Sequence, residues 1–163
     1  MRSILYKEIA MAASRPISKK TAYWGVPWEQ VYGYPQARQV GNDIYISGQF
    51  NHDEDGNLVA PAPLDNTGKP SDFSSMGEQM RTTYENISKL LALYGATLDD
   101  VVEETLFVLD MDAAFAVVGD VRKAAYGNER PQCASNIIGV PRLAQRSQLI
   151  EIVCKAVIGA RAD

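Results

Sequence analysis

Residues 36–49 read QARQVGNDIYISGQ, two short extended runs, Gln36 to Val40 and Asp43 to Gly48, that meet at Gly41-Asn42. Both turn residues tolerate positive φ, so the stretch predicts a tight β-hairpin. In its second arm Ile44 and Ile46 share one face while Tyr45 and Ser47 share the other, and that polar face is free to carry chemistry.

Working towards the carboxyl end, residues 51–72 collect Asn, Asp and Gly with Pro61, Pro63 and Pro70, a composition that favours turns. A loop of this length in a compact domain is often functional. From Ser75 the pattern turns helical, with Met76, Met80, Tyr84, Ile87, Leu91 and Tyr94 on one stripe, a capping box of Ser75 with Glu78, and Gly95 as the stop. Val101 to Leu109 reads as a strand. Asp112 is positioned to cap a second helix carrying Phe115, Val118, Val121 and Ala125, which Gly127 and Pro131 end. Ile137 to Val140 and Gln148 to Ile158 read as closing strands. The order is ββαβαββ, an α+β domain whose short crossovers lay both helices on one face of a mixed sheet. In the last strand Ile150, Ile152, Cys154 and Ala156 fill one face and Leu149, Val153 and Val157 the other. A strand apolar on both sides, with helices enough for one, implies that a second copy of the chain covers the open face.

Working towards the amino end, residues 1–33 carry Tyr6, Tyr23, Trp24, Trp28 and Tyr32 without a sustained period. Residues 1–18 are expected to be a flexible extension and 19–163 a single domain. The aromatics from Tyr23 to Tyr32 either line a pocket, covering part of its mouth, or staple this arm to the sheet.

The 163 residues carry 16 Lys and Arg against 20 Asp and Glu, a net charge of −4. With scattered cations this disfavours a dedicated nucleic-acid binder, which needs a clustered basic footprint. No apolar run approaches the roughly 20 residues that span a bilayer, and no signal-peptide pattern opens the chain, so a soluble cytoplasmic protein is expected. Two cysteines, Cys133 and Cys154, without a CxxC, and one histidine, His52, argue against a histidine-rich zinc site or a triad needing a second histidine, and a reducing compartment disfavours a structural disulfide. His52 with Asp53, Glu54 and Asp55 superficially resembles a metal loop but reads as a solvated turn; no metal is assigned.

Glu151 stands out because it places a carboxylate inside a strand otherwise apolar on both sides. Desolvation there disfavours the charged form and suits the group to proton transfer or to orienting a water; the bland reading is an edge residue paired to a cation. Tyr34 and Ser47 supply hydroxyls at the two ends of the hairpin, where packing and turn roles also account for them. Cys133 follows Pro131 in a loop and reads more simply as a buried thiol than as a nucleophile.

The run Gly33-Tyr34-Pro35-Gln36-Ala37, then Val40-Gly41-Asn42, then Ile44-Tyr45-Ile46-Ser47-Gly48-Gln49, resembles the amino-terminal signature of the Rid/YjgF superfamily of reactive intermediate deaminases. The resemblance continues in order through Gln79, Asn86 and Leu91, Gly95 with Asp100-Val101-Val102, Asp110-Met111 with Phe115, Pro131, Arg142-Leu143 and Ile150-Glu151-Ile152, spanning about residues 34–158. It implies a chorismate-mutase-like fold assembled as a homotrimer, with small-molecule ligands in clefts between subunits. It also implies hydrolysis of enamines and imines to a carbonyl compound and ammonia, without metal or organic cofactor. By the same resemblance Tyr34 and Ser47 shape the substrate site and Glu151 is the catalytic carboxylate. The family's substrate-binding Arg is absent. Its place falls on Cys133 when counted from Pro131 and on Ser135 when counted back from Arg142-Leu143, and a family Asn in the second helix is replaced by Gly119. Neither thiol nor hydroxyl reproduces the bidentate grip of a guanidinium on a carboxylate. Three readings follow: a deaminase of altered substrate range, a non-catalytic binding or sensing trimer, and, least supported by the charge balance, a role in RNA metabolism or translation.

Overall fold

The computed structural model describes residues 17–160; the extension expected at 1–18 lies, up to residue 16, outside the described residues. Six strands form one sheet in the order β1-β2-β3-β6-β4-β5. They are β1 (Lys19–Ala22), β2 (Ala37–Val40), β3 (Asp43–Gln49), β4 (Val101–Val108), β5 (Ala134–Gly139) and β6 (Ile150–Val157). Neighbours run antiparallel except β4 and β5, which are parallel, as the crossover between them requires.

Helix α1 (Pro27–Tyr32) precedes the hairpin, α2 (Met76–Ala92) crosses from β3 to β4, and α3 (Met111–Phe115) with α4 (Val118–Tyr126) lead to β5. The expected hairpin forms, with Val40 paired to Asp43 and Gly41 alone taking positive φ at 62°. Helix α2 sets Met80, Tyr84, Ile87 and Leu91 against Ile44, Leu106, Ile152 and Ala156, all of them buried. Burying such a stripe, rather than helix propensity, holds α2 in place.

Four expectations are corrected. Strand β1 and helix α1 were not legible, because elements of four and six residues carry too few turns to show a period. Strand β1 is held by antiparallel pairing with β2, and helix α1 is tied to the segment before it by Glu29, which accepts from the backbone N–H groups of Trp24 at 2.7 Å and Gly25 at 3.0 Å. The second helix is two, since the chain breaks at Ala116-Val117, and its cap is Asp110 rather than Asp112, with Asp110 accepting from Ala113 N–H at 2.8 Å. No side-chain capping bond forms at Ser75. Strand β5 begins at Ala134, three residues before the expected start.

The sheet is two-sided, as the last strand implies. Along β6, Ile150, Ile152, Cys154 and Ala156 are buried under the helices, whereas Glu151, Val153, Lys155 and Val157 are half-buried on the far side. Tyr45 and Ile138 stand exposed on that same far face, at 48% and 44%.

Candidate active site

Between Ile46, paired to Cys154, and Gln49, paired to Ile152, strand β3 holds one residue more than β6. This bulge at Ser47-Gly48 shapes the site. It returns Gln49 to the buried side and leaves a notch opposite Glu151. A Cβ placed on Gly48 would lie 2.6 Å from the Glu151 carboxyl carbon. Glycine is thus what lets the carboxylate lie across the strand. Gly48→Ala should leave stability nearly unchanged, because the blocked atoms end a flexible side chain, yet swing Glu151 out of place. Turnover on any substrate that needs Glu151 should fall by about tenfold or more, read from initial rates beside a thermal melt.

Glu151 lines a cleft of about 590 Å³ with Trp28, Tyr34, Ser47, Phe50 and Gln145, and none of the side chains lining it is a lysine or arginine. Its cross-strand neighbour is Phe107. Burial pushes the Glu151 carboxyl above the usual carboxylate range, and a hydrogen bond from Gln148 Nε2 at 3.3 Å opposes this. The Tyr34 phenol is also raised, by burial first and then by the negative charges of Glu151 and Glu29. It stays a protonated donor at neutral pH. Ser47 donates to the Pro35 carbonyl at 2.7 Å, which pins the Tyr34-Pro35 segment over the notch and leaves the Ser47 oxygen free only to accept.

The surrounding loops are fixed by buried amides. Gln79 donates to the carbonyls of Ala60 at 2.9 Å and Ser147 at 3.0 Å and accepts from Leu149 N–H at 2.8 Å, tying the 51–72 loop and the 141–147 loop to α2. Trp24 Nε1 donates to Gln49 Oε1 at 3.1 Å, and Gln49 Nε2 donates to Gln36 Oε1 at 2.9 Å. Trp28 packs on Phe50 and on His52, both with ring centroids 5.3 Å away. His52 is therefore a buried aromatic partner rather than part of a solvated turn, and burial lowers its pKa. Asp53 makes the turn instead, accepting from Asp55 and Asn57 N–H groups.

The structure brings Tyr34, Ser47 and Glu151 together in this cleft and places Cys133 and Ser135 elsewhere. Ser135 pairs with Glu104 and Ile137 with Leu106, whose side chain is buried on the helix side, so odd-numbered β5 residues face away from Glu151. Ser135 Oγ donates to Glu104 Oε1 at 2.9 Å. Cys133 Sγ lies 3.2 Å from both Tyr126 Oη and Arg122 Nη2. Within one chain neither lines this cleft. Gly119 faces open space. Residues missed from sequence are Gln148, which orients Glu151, and Gln145 and Phe107 beside it. Among the described residues no three His, Cys, Asp or Glu side chains converge as a metal site would need.

Residues 28–158 match the family described as Endoribonuclease L-PSP, and the chain belongs to that family, the YjgF/Rid family, with its α+β fold. A member of the YjgF/YER057c/UK114 family from Mycobacterium tuberculosis superposes with a TM-score of 0.65 at 25% identity, covering 86% of this chain and 100% of that one. A putative endoribonuclease from Thermotoga maritima gives 0.64 at 30% identity, covering 88% and 97%. In sequence the chain is 26% identical to a 2-iminobutanoate/2-iminopropanoate deaminase of Dermatophagoides farinae over 71% of this chain and 79% of that protein. It is 30% identical to mmf2, a mitochondrial protein of Schizosaccharomyces pombe, over 76% and 86%. No helix among the described residues is long and apolar enough to cross a membrane.

Proposed function

We propose that the chain is a metal-independent enamine or imine hydrolase whose substrates lack a carboxylate, working as a homotrimer in which a neighbouring subunit closes the cleft. The observation that carries this reading is the desolvated Glu151 carboxyl, set into the Gly48 notch beside the Tyr34 hydroxyl. An imine entering there meets one carboxylate and no cation of this chain. Its protonated nitrogen is attracted to Glu151, whereas a substrate carboxylate is repelled by it. As the ion, Glu151 takes a proton from a water that adds to the C=N carbon. The proton then passes to nitrogen, the hydroxyl gives its proton to the again ionised Glu151 as the C–N bond breaks, and a carbonyl compound and ammonia leave. Tyr34, as a donor, can hold the oxygen that develops on that carbon. Relatives named as 2-iminobutanoate/2-iminopropanoate deaminases support imine chemistry at the level of the family.

The trimer is supported by the half-covered far face of the sheet, where Tyr45 and Ile138 are exposed next to the cleft strands. A second reading, binding or sensing without turnover, is favoured by one observation, the engagement of Cys133 by Tyr126 and Arg122 and of Ser135 by Glu104. Ammonia release from imines generated in situ, with and without a carboxylate, separates the two. Turnover at least tenfold faster on the carboxylate-free members is the expected result. A folded protein that accelerates none of them leaves the binding role.

A further inference from the structure

On the other side of the 141–147 loop from Glu151 lies a groove of about 240 Å³ lined by Lys69, Arg142 and Arg146, over a floor that includes Leu109 and Leu143. Three cations share this groove in a chain whose net charge is −4. Like charges brought together repel, and surface arginines and lysines ordinarily find carboxylates. The ion pairs formed among the described residues are Arg122 with Glu104 and Lys123 with Glu129, so none of the three groove cations is paired.

The nearest acid in the same loop does not neutralise them. Asp65 Oδ1 is taken by the N–H groups of Thr67 at 2.7 Å and Lys69 at 3.0 Å and by the Thr67 hydroxyl at 2.7 Å, and the Lys69 ammonium reaches this carboxylate only through its field. The turn that Asp65 closes also shapes the groove. Gly68 takes φ of 77°, and the Arg146 guanidinium lies directly over it, its central carbon 3.5 Å from where a Cβ would stand. A side chain at 68 would push that guanidinium out of the groove. The exposed Arg146 side chain thus lies across the Gly68 turn at the groove.

We propose that this groove is a binding site for a small polyanion bearing phosphate or carboxylate groups, distinct from the imine cleft. Two planar guanidinium forks and an ammonium offer oxyanions charge-assisted hydrogen bonds, and the Leu109 and Leu143 floor accepts a short hydrocarbon backbone. The site is also wired to the cleft. Gln145 lines both cavities, its N–H donates to Gln148 Oε1 at 3.1 Å, and Gln148 Nε2 donates to Glu151 Oε2. An anion that stiffens the 141–147 loop thereby steadies the amide that orients Glu151.

The test is calorimetric titration of the full chain with inorganic pyrophosphate and, separately, with citrate, in buffer of about physiological ionic strength, where loose surface attraction is screened. Saturable binding of one of them with a Kd of about 1 mM or tighter is expected. The preferred probe then tells whether phosphate or carboxylate is the recognised group. The double variant Arg142→Gln with Arg146→Gln should weaken binding by about tenfold or more. Lys123→Gln, a cation on another surface, should leave it unchanged. These side chains are exposed, so the variants should melt like the parent. Absence of saturation with either probe, or equal affinity in the double variant, overturns the proposal. The readout is independent of imine turnover.

Discussion

Glu151→Gln is expected to lower imine turnover by about 100-fold to 10,000-fold, the span removed with a general base, while making the folded protein more stable at neutral pH. The two effects share one cause. Burial raises the Glu151 pKa above its ordinary value of 4.5, so at neutral pH the folded state holds a charge that the unfolded chain solvates better. That penalty is complete above the raised pKa and absent below 4.5, where the carboxyl is protonated in both states. The stability gain of the Gln variant should therefore be present at pH 7 and fade as the pH falls through the carboxylate range. The amide oxygen can keep the bond from Gln148, so packing is preserved. Ammonia release gives the first effect and thermal melts between about pH 4 and 8 give the second. A variant with full turnover, or one less stable than the parent at pH 7, contradicts the assignment.

Glu104→Ala is expected to destabilise the fold by about 3–5 kcal/mol, the cost of breaking a buried ion pair from one side. Glu104 is fully buried and accepts from Tyr84 at 3.0 Å, Tyr126 at 2.9 Å and Ser135 at 2.9 Å, with Arg122 Nε 2.6 Å away. Burial works against the charge on Arg122, but the Glu104 carboxylate, with smaller contributions from Cys133 and Tyr84, outweighs it. Both tyrosine phenols are pushed far up, first by burial and then by Glu104. Removing the one acceptor strands a guanidinium and two phenols at once. Urea unfolding reads the loss, and adding Arg122→Met to the variant should recover part of it, since the charge then has no unmet partner. A loss under about 1 kcal/mol in the single variant would show that water replaces Glu104 without cost.

What the residue order made legible follows from the length of each signal. Helix α2 runs 17 residues and repeats its apolar stripe through several turns, and the hairpin has a two-residue turn with a glycine at its first position. The two faces of β6 likewise emerge from strict alternation over eight residues. Strand β1 depends on its pairing with β2 and helix α1 on the Glu29 carboxylate's bonds to Trp24 and Gly25, neither of which shows as a period in the residue order. The site divides in the same way. Tyr34, Ser47 and Glu151 meet because they belong to the hairpin and the strand beside it. Within one chain Ser135 lies apart from them because the parity of β5 turns it to Glu104, and Cys133 lies in the loop before β5 against Tyr126 and Arg122. The bulge was hidden because Ser47-Gly48 also fits an uninterrupted strand.

The place of β6 in the sheet bears on how the protein is made. This strand is the last among the described residues, yet it lies between β3 and β4, which do not otherwise pair. Until residues 150–157 have left the ribosome, the β1–β3 and β4–β5 pairings are separate sheets with open, apolar edges. Non-local closure of this kind is slow and exposes such edges to other chains. The same insertion delivers Glu151 to the Gly48 notch, so the cleft gains its carboxylate in the step that completes the sheet. A nascent chain can thus hold Ser47 on the hairpin, bonded to Pro35 beside Tyr34, while the cleft still lacks its carboxylate.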